Sequence, residues 1–180
     1  TVIRAETSDG YQFTPTYGPD NRPTIWNPEE FGGQVPRLEV SAAVDELMQR
    51  YDVVRMYCDP PYWETEVDEW ASRYGEKKVI RWATYRPAQM HAAAERLRTD
   101  ITKADSSFTH DGCPWTSSHV GNARAAARQG NRYVLVKPSR GQKIDACVTS
   151  VICHEAAGDA TAAGLWAGRR ETLVWTSRRR

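Results

Sequence analysis

The sequence predicts an α/β fold, because segments with strand character alternate with segments that carry one apolar helical face. Short runs of β-branched and aromatic residues occur at 53–58, 78–83 and 133–136, and helical apolar spacing lies between them. The 180 residues are the length of one domain, since single cores usually close at about 100–200 residues. We therefore predict a sheet flanked by helices.

The N-terminal segment opens with a predicted β-hairpin. Two runs with strand character, 1–5 and 11–16, flank Ser8-Asp9-Gly10, a tripeptide typical of tight turns. The stretch 18–37 is rich in proline and glycine, and we interpret it as a surface loop without strand or helix. Apolar residues from Val40 to Tyr51 then recur at intervals of three and four, which predicts a helix.

The sequence of the central segment, residues 53–83, predicts a strand, a helix and a second strand. The strand at 53–58 must end at Asp59-Pro60-Pro61, because a proline cannot donate a hydrogen bond to a neighbouring strand. Helical spacing from Trp63 to Tyr74, followed by Gly75, predicts the helix, and 78–83 predicts the second strand. Asp59 is therefore expected at the carboxyl end of a strand.

The C-terminal half contains three predicted helices and one strand. The first helix begins at Pro87, and we expect four of its side chains to face the core: Met90, Ala94, Leu97 and Ile101. Residues 104–118 are polar and rich in turn formers, whereas 120–128 is rich in alanine and predicts a helix. The strand at 133–136 precedes Pro138, and the last helix begins between Lys143 and Asp145.

Charge is balanced in total but segregated along the chain. There are 24 Lys and Arg against 23 Asp and Glu, and no apolar run approaches the roughly 18 residues that a membrane span requires. Residues 59–76 hold six acids and one base, whereas 122–143 holds six bases and no acid. The pattern indicates either two solvated faces or a basic surface for phosphates beside an acidic metal site.

The cysteines indicate neither a disulfide framework nor a standard zinc site. They form no Cys-x-x-Cys pair, which favours free thiols in a reducing cytoplasm: Cys58, Cys113, Cys147 and Cys153. Three further residues are of types that bind zinc: His110, Cys113 and His119. Their spacing matches no familiar zinc finger, and a fourth ligand is not evident.

Asp59-Pro60-Pro61-Tyr62 is the most informative string, and two chemistries use such a rigid strand end. It resembles the catalytic motif of amino-methyltransferases, which holds the exocyclic amine of a flipped base. That function requires a glycine-rich loop after a strand for S-adenosylmethionine, and this chain offers only Phe31-Gly32-Gly33.

In the second interpretation Asp59 is a metal ligand, and Asp145 is its partner at the start of the last helix. Carboxylates are the ligands that Mg²⁺ prefers, and two such ions support phosphodiester hydrolysis. Each residue also has a plain structural alternative. Asp59 can serve as a turn former, and Asp145 can complement the helix dipole.

Four strings taken together resemble the nuclease domain of tailed-phage terminase large subunits, in the same order and at similar spacing. The resemblance covers residues 1–163, and we expect 164–180 to be a flexible basic tail. The strings are 52–63, which includes Asp59-Pro60-Pro61, then His110-Asp111-Gly112, 119–124, and 137–146, which includes Lys143-Ile144-Asp145.

The resemblance implies a ribonuclease H-like mixed sheet flanked by helices and a DNA endonuclease that uses two Mg²⁺ or Mn²⁺ ions. Asp59 and Asp145 match metal-binding catalytic acids, whereas His119, Asn122 and Asp111 lie in matched motifs as accessory candidates without an assigned role. Double-stranded DNA is the implied substrate, held by the acid-free basic stretch: Arg124, Arg128, Arg132, Lys137, Arg140 and Lys143. The implied partners are the terminase ATPase domain, the small terminase subunit and the portal, in the cytoplasm of a bacterial host.

The chain departs from the family pattern at its beginning. The family carries a further aspartate on a first, central strand, and residues 1–5 resemble the second strand, so we expect an excised piece with an open sheet edge. No phosphate-binding loop of the ATPase type occurs. Cys113 stands where the family tends to have an acid, and Cys58 where it has a small residue. A catalytically impaired module for DNA binding or assembly is therefore the alternative function.

Overall fold

The computed structural model describes residues 1–166, so 167–180 of the expected tail at 164–180 lie outside the described residues. No helix in this range is long and apolar enough to cross a membrane. The elements follow in the order β1 Ala5–Glu6, β2 Tyr11–Phe13, β3 Thr16–Tyr17, β4 Arg22–Pro23, a 3-10 turn Pro28–Phe31, α1 Arg37–Arg50, β5 Met56–Cys58, α2 Glu64–Tyr74, β6 Val79–Arg81, α3 Pro87–Thr102, β7 Thr109–His110, α4 Pro114–Asn122, β8 Arg124–Arg128, β9 Arg132–Val136 and α5 Asp145–Ala162.

The prediction of an α/β chain is confirmed, but the described strands form four small sheets instead of one. In the first sheet β2 pairs antiparallel with β1 and parallel with β7. The second is the parallel pair β5 and β6, and the other two are antiparallel pairs, β3 with β4 and β8 with β9. Within residues 1–166, the first sheet and the β5–β6 pair are not hydrogen-bonded to each other.

The predicted N-terminal hairpin is confirmed, whereas the loop prediction for 18–37 is wrong in part. Gly10 has a φ of 88°, which the turn between β1 and β2 requires. The stretch 18–37 contains β4 and the 3-10 turn, and its Trp26 is only 1% exposed. Thr24 explains why this segment is held inside, because its hydroxyl donates to the carbonyl oxygens of Ile3 and Pro15.

Four of the predicted helices are confirmed as α1, α2, α3 and α5. Gly75 ends α2 with a φ of 102°, and Pro87 begins α3. The prediction that Ile101 faces the core is wrong, because this side chain in the last turn of α3 is 49% exposed. The last turn of α3 extends beyond the core, so the apolar spacing of the sequence no longer indicates burial there.

The prediction of a helix at 120–128 is wrong, because this stretch divides between the end of α4 and the strand β8. β8 pairs with β9 through a three-residue turn in which Gly130 and Asn131 have φ values of 77° and 55°. Gly-Asn between two strands is a hairpin signal. The cross-strand pairing therefore outweighs the high helix propensity of the alanines.

The core consists of two apolar clusters. One lies between α1, α2 and the β5–β6 pair and includes Trp26, Val44 and Trp70. The other lies between α3, α5 and β9 and includes Met90 and Ile152. Burying a side chain of this size stabilises the fold by about 1.5–3 kcal/mol, so these clusters fix how the helices pack on the strands.

A buried network of polar side chains ties α5 to β1 and α3. The ring nitrogens of His154 lie 2.9 Å from Glu6 Oε1 and 2.9 Å from Asp100 Oδ2. Gln12 Nε2 donates to Glu6 Oε2 and to the Ser150 carbonyl oxygen. Burial alone would lower the pKa of His154, but the two carboxylates outweigh it and raise this pKa above its usual value.

We expect the stability difference between the wild-type chain and His154→Gln to be largest near pH 6 and to shrink as the pH rises. A raised histidine pKa in the folded state contributes stability that is present below the unfolded pKa of about 6.5 and is lost as the pH rises through the folded value. Urea unfolding between pH 6 and pH 9 measures the difference. His110→Gln is the exposed control, and a pH-independent difference for His154→Gln would contradict the charged network.

Candidate functional site

A cavity of about 1030 Å³ lies between the segment that contains β1 and the segment that contains β5. Helix α1 and helix α2 line one wall, and α5 lines the other. Asp59 and Asp145, the two aspartates singled out by sequence, both line this cavity. The candidate site is therefore the cavity region around these two carboxylates.

The two aspartates line the cavity from different elements. Asp145 begins α5, and the Thr1 nitrogen is close enough to interact with its charge. Tyr57, two residues before Asp59, donates its hydroxyl to Asp159 Oδ2 near the other end of α5. The cavity is therefore what the two aspartates share.

Asp59 follows β5 directly, as predicted, and its carboxylate is fixed by the loop after β6. Its Oδ1 accepts from the Thr84 N–H at 3.1 Å, and its Oδ2 accepts from the Thr84 hydroxyl at 2.7 Å. Each oxygen keeps a further lone pair for a cation. Thr84 was not predicted from the sequence, although parallel strands end at the same sheet edge and the end of the predicted strand 78–83 is a signal for it.

Asp145 is the first residue of α5, also as predicted, and its side chain is exposed. The helix start is fastened by His119 of α4, whose Nδ1 accepts from the Ala146 N–H at 2.9 Å. Burial lowers the pKa of His119, which keeps the ring neutral and Nδ1 able to accept. His119 is therefore a positioning residue for Asp145.

Asn122 acts on the same segment, one helical turn after His119. Its Nδ2 donates to the Lys143 carbonyl oxygen at 3.0 Å, and its Oδ1 accepts from Gln142 Nε2 at 3.2 Å. His119 and Asn122 together hold the chain as it enters α5. This gives the two accessory candidates a structural role that their sequence motif did not reveal.

Asp111, the third accessory candidate, does not line the cavity. It forms an ion pair with Arg4 at 3.1 Å and accepts from the backbone N–H groups of Thr14 and Cys113. Burial alone would raise the pKa of Asp111, but these hydrogen bonds and the Arg4 charge hold it below its usual value. The residue therefore joins the segment that contains β1 to the segment after β7.

Residues 1–166 contain no group of three or more His, Cys, Asp and Glu side chains placed to hold a metal ion. The zinc hypothesis for His110, Cys113 and His119 is not supported, since His119 Nδ1 is occupied by the Ala146 N–H. The methyltransferase hypothesis needs a glycine-rich loop after a strand, but Gly32 caps the 3-10 turn. Asp59 and Asp145 are the two acids predicted from sequence that line the cavity, which Glu6 and Asp52 also line.

The basic stretch forms an exposed ribbon and the loop that follows it. In the antiparallel register of this hairpin, Arg124 lies opposite Val136 and Arg128 lies opposite Arg132. The three arginines therefore share one face of the β8–β9 hairpin, which is its outer face. The inner face packs on the second core cluster through Tyr133 and Leu135. The other three bases of the stretch follow the ribbon: Lys137, Arg140 and Lys143. In the part of the chain that the structure describes, none of the six bases of this stretch forms an ion pair.

Comparisons with known proteins connect the chain to phages. It is 31% identical over 144 residues to the Gene 13 protein of Mycobacterium phage D29 and 30% identical over 144 residues to the Gene 13 protein of Mycobacterium phage L5. Each match covers 75% of this chain and 24% of the relative, so the chain spans about a quarter of the length of these curated relatives. No family model and no solved structure matches it.

We expect His119→Ala to lower the free energy of unfolding by about 1–3 kcal/mol, because it leaves the buried Ala146 N–H without its acceptor. His119→Asn keeps an acceptor on the side chain and is expected to recover part of the loss. Chemical unfolding measures stability, and hydrogen exchange reports the Ala146 amide directly. The exposed His110→Ala variant is the control, and an equal loss in both alanine variants would contradict the assigned role.

Proposed function

We propose that this chain is part of a ribonuclease H-like nuclease domain of the terminase large subunit type, a metal-dependent DNA endonuclease. The observation that supports this proposal most directly is that Asp59 and Asp145 both line one cavity. These residues are 86 positions apart (145 − 59), and one follows a strand while the other begins a helix. Local structure alone gives no reason for them to line the same cavity.

The side chains fit a hard divalent cation such as Mg²⁺ or Mn²⁺. Such ions take oxygen ligands, and both aspartates line the same cavity. When bound, the ion supplies an activated water for phosphodiester hydrolysis. Thr84 orients the Asp59 carboxylate, and His119 and Asn122 orient the backbone that carries Asp145. Two carboxylates bind a cation weakly, so we expect little or no cutting by this chain alone.

The basic ribbon supplies the second requirement of the proposed function, which is a surface for the DNA backbone. Arg124, Arg128 and Arg132 stand on one exposed face, so they can contact successive phosphates together. A two-stranded ribbon also has the width that the major groove admits. Lys143 lies two residues before Asp145 along the chain, so the basic stretch leads directly to this aspartate. Phosphate contacts of this kind position DNA without selecting a sequence.

A second candidate function is a DNA-binding or assembly module without nuclease activity. The observation that favours it is that the described residues hold no metal site of three or more ligands, although they retain the exposed ribbon. The similarity to two phage proteins is compatible with either function, and the implied packaging partners belong to both. Metal binding distinguishes the two functions, whereas DNA binding does not.

Calorimetric titration of the chain with Mn²⁺ tests the nuclease proposal. We expect weak binding whose heat is lost in Asp59→Asn and in Asp145→Asn, because each change removes a charged ligand. The exposed Asp20→Asn has the same charge change elsewhere and is expected to bind as the wild-type chain does. Thr84→Val is expected to weaken binding by less than Asp59→Asn, since it only frees the Asp59 carboxylate.

Two outcomes are decisive for this proposal. Mn²⁺ binding that is unchanged in both asparagine variants would refute the metal site and leave the DNA-binding module as the function. Vigorous plasmid cleavage that Asp59→Ala abolishes would instead show that two carboxylates suffice, against the weak cutting that we expect.

DNA affinity measured as a function of salt tests the ribbon. Replacing Arg124, Arg128 and Arg132 with glutamine is expected to weaken binding to duplexes of any sequence. The slope of log K against log salt should become shallower by about 0.9 for each phosphate that the variant no longer neutralises. The control replaces three bases on another part of the surface: Lys77, Lys78 and Arg86. An equal effect of both triple variants would mean that net charge, and not the ribbon, determines binding.

A further inference from the structure

Tyr62 stands in a backbone conformation that tyrosine rarely adopts. The Trp63 N–H donates to the Pro60 carbonyl oxygen at 2.8 Å and closes a turn in which Tyr62 has a φ of 69°. Proline in the second position and a positive φ in the third are features of a type II turn, whose third residue is usually glycine or asparagine. The other described non-glycine residues with a positive φ are Asn21 and Asn131. Tyrosine therefore costs backbone strain here that glycine would avoid.

The Tyr62 ring gives the fold no contact that offsets this strain. Its side chain is 83% exposed and forms no hydrogen bond or ring contact within residues 1–166. The turn is held by its neighbours instead, because Arg37 donates to the Tyr62 carbonyl oxygen and its guanidinium lies 4.9 Å from the ring centroid of Trp63. Trp63 in turn stacks on the buried Trp70. A firmly held turn thus displays an aromatic ring that the described fold does not use.

A second exposed tyrosine lies on the neighbouring loop. Tyr85 is 68% exposed and also forms no hydrogen bond or ring contact through its side chain among the described residues. It directly follows Thr84, whose N–H and hydroxyl donate to the Asp59 carboxylate. Because β5 and β6 are parallel, the two loops leave the same edge of this sheet. Tyr62 and Tyr85 therefore both lie within three residues of the hydrogen bonds that hold Asp59.

Two exposed rings beside a carboxylate proposed for phosphodiester hydrolysis fit nucleobases that are not paired. A base in an intact duplex is covered on both faces by its neighbours, whereas an unpaired base offers a free face to an aromatic side chain. Removing one stacking ring typically weakens binding by about fivefold or more. Stacking of this kind accepts every base, so it selects the structure of the DNA and not its sequence.

The charge around the turn favours bases over phosphates at this surface. Glu66 forms an ion pair with Arg37 and Asp68 with Arg81, each at 2.5 Å, so both carboxylates are compensated. Two further acids of α2 are exposed and form no ion pair among the described residues: Glu64 and Glu69. A phosphate group is disfavoured beside them, and the uncharged bases are the part of a DNA strand that suits this surface.

We propose that Tyr62 and Tyr85 stack on unpaired bases, so that the substrate is a duplex with a locally unpaired strand at the cleavage point. This inference rests on the proposed nuclease function, which gives Asp59 its role, and it adds the structural class of the DNA. The basic ribbon holds the backbone of the paired part, whereas the two tyrosines hold the bases of the opened part.

The test measures binding of the complete 180-residue chain to two labelled duplexes by fluorescence anisotropy, without metal. One duplex is fully paired, and the other carries a short unpaired thymine segment. We expect the second to bind at least about fivefold more tightly, and this ratio to persist at raised salt because stacking joins uncharged surfaces. Tyr62→Leu and Tyr85→Leu are each expected to bring the ratio close to one, whereas Tyr62→Phe keeps the ring and the preference.

Tyr62→Gly separates a binding role from a structural one. Glycine relieves the strain of the turn, so the melting temperature is expected to rise by about 2–4 °C while the preference for unpaired DNA is lost. Tyr11→Leu changes an exposed tyrosine on β2 and is expected to leave the preference unchanged. A lower melting temperature of Tyr62→Gly would assign the ring a structural role and overturn the proposal.

Two further results would overturn it. Equal affinity of the wild-type chain for the two duplexes would show that unpaired bases are not recognised, and equal weakening of both by the leucine variants would place the rings on the duplex backbone. The proposed function fails separately. A preference for unpaired DNA without Asp59-dependent Mn²⁺ binding would refute the nuclease alone, whereas Asp59-dependent Mn²⁺ binding without the preference would refute this inference alone.

Discussion

The attachment of α5 to the rest of the molecule is the constraint on which the other features depend. Polar contacts hold this helix along its length: His119 binds its first turn, Gln12 binds the Ser150 carbonyl, and His154 joins Glu6 to Asp100. Apolar packing holds α5 against α3 and β9, and the hydrogen bonds add contacts that only these partners can make. The hydrogen bonds have specific partners and therefore fix its register, so that Asp145 at the start of the helix lines the cavity.

The same arrangement separates the charges of the molecule into two regions with different roles. Asp59 and Asp145 lie beside the cavity, whereas three arginines stand on the outer face of the β8–β9 ribbon. The ribbon is anchored by Tyr133, whose hydroxyl donates to Glu95 Oε1 at 2.6 Å and whose ring packs edge-on against His91. A basic surface on the same molecule as the two cavity aspartates gives the separation of charge that the proposed phosphodiester chemistry would use.

The sequence predicted the elements whose apolar periodicity agrees with local signals for where a helix begins or ends. It failed where pairing between distant segments determines the secondary structure. Gly75 and Pro87 mark helix ends by local chemistry, so α2 and α3 could be predicted. The alanines of β8 favour a helix locally, and only pairing with β9 makes them a strand. The same limit applies to the site. Asp59 and Asp145 could be named from motifs, but the bonds from Thr84 and to His119 depend on which distant segments meet.

Asp59 and Asp145 line one cavity, but different parts of the structure hold them. Thr84 fixes the Asp59 carboxylate by two hydrogen bonds, whereas His119 and Asn122 hold the backbone that leads into Asp145 and leave its side chain exposed. Preorganised ligands bind a cation more tightly because less ordering is left to the binding step. Asp59 is therefore the better ordered of the two proposed ligands, and the strength of the proposed metal site is expected to depend mainly on how far the Asp145 side chain is ordered when the ion binds.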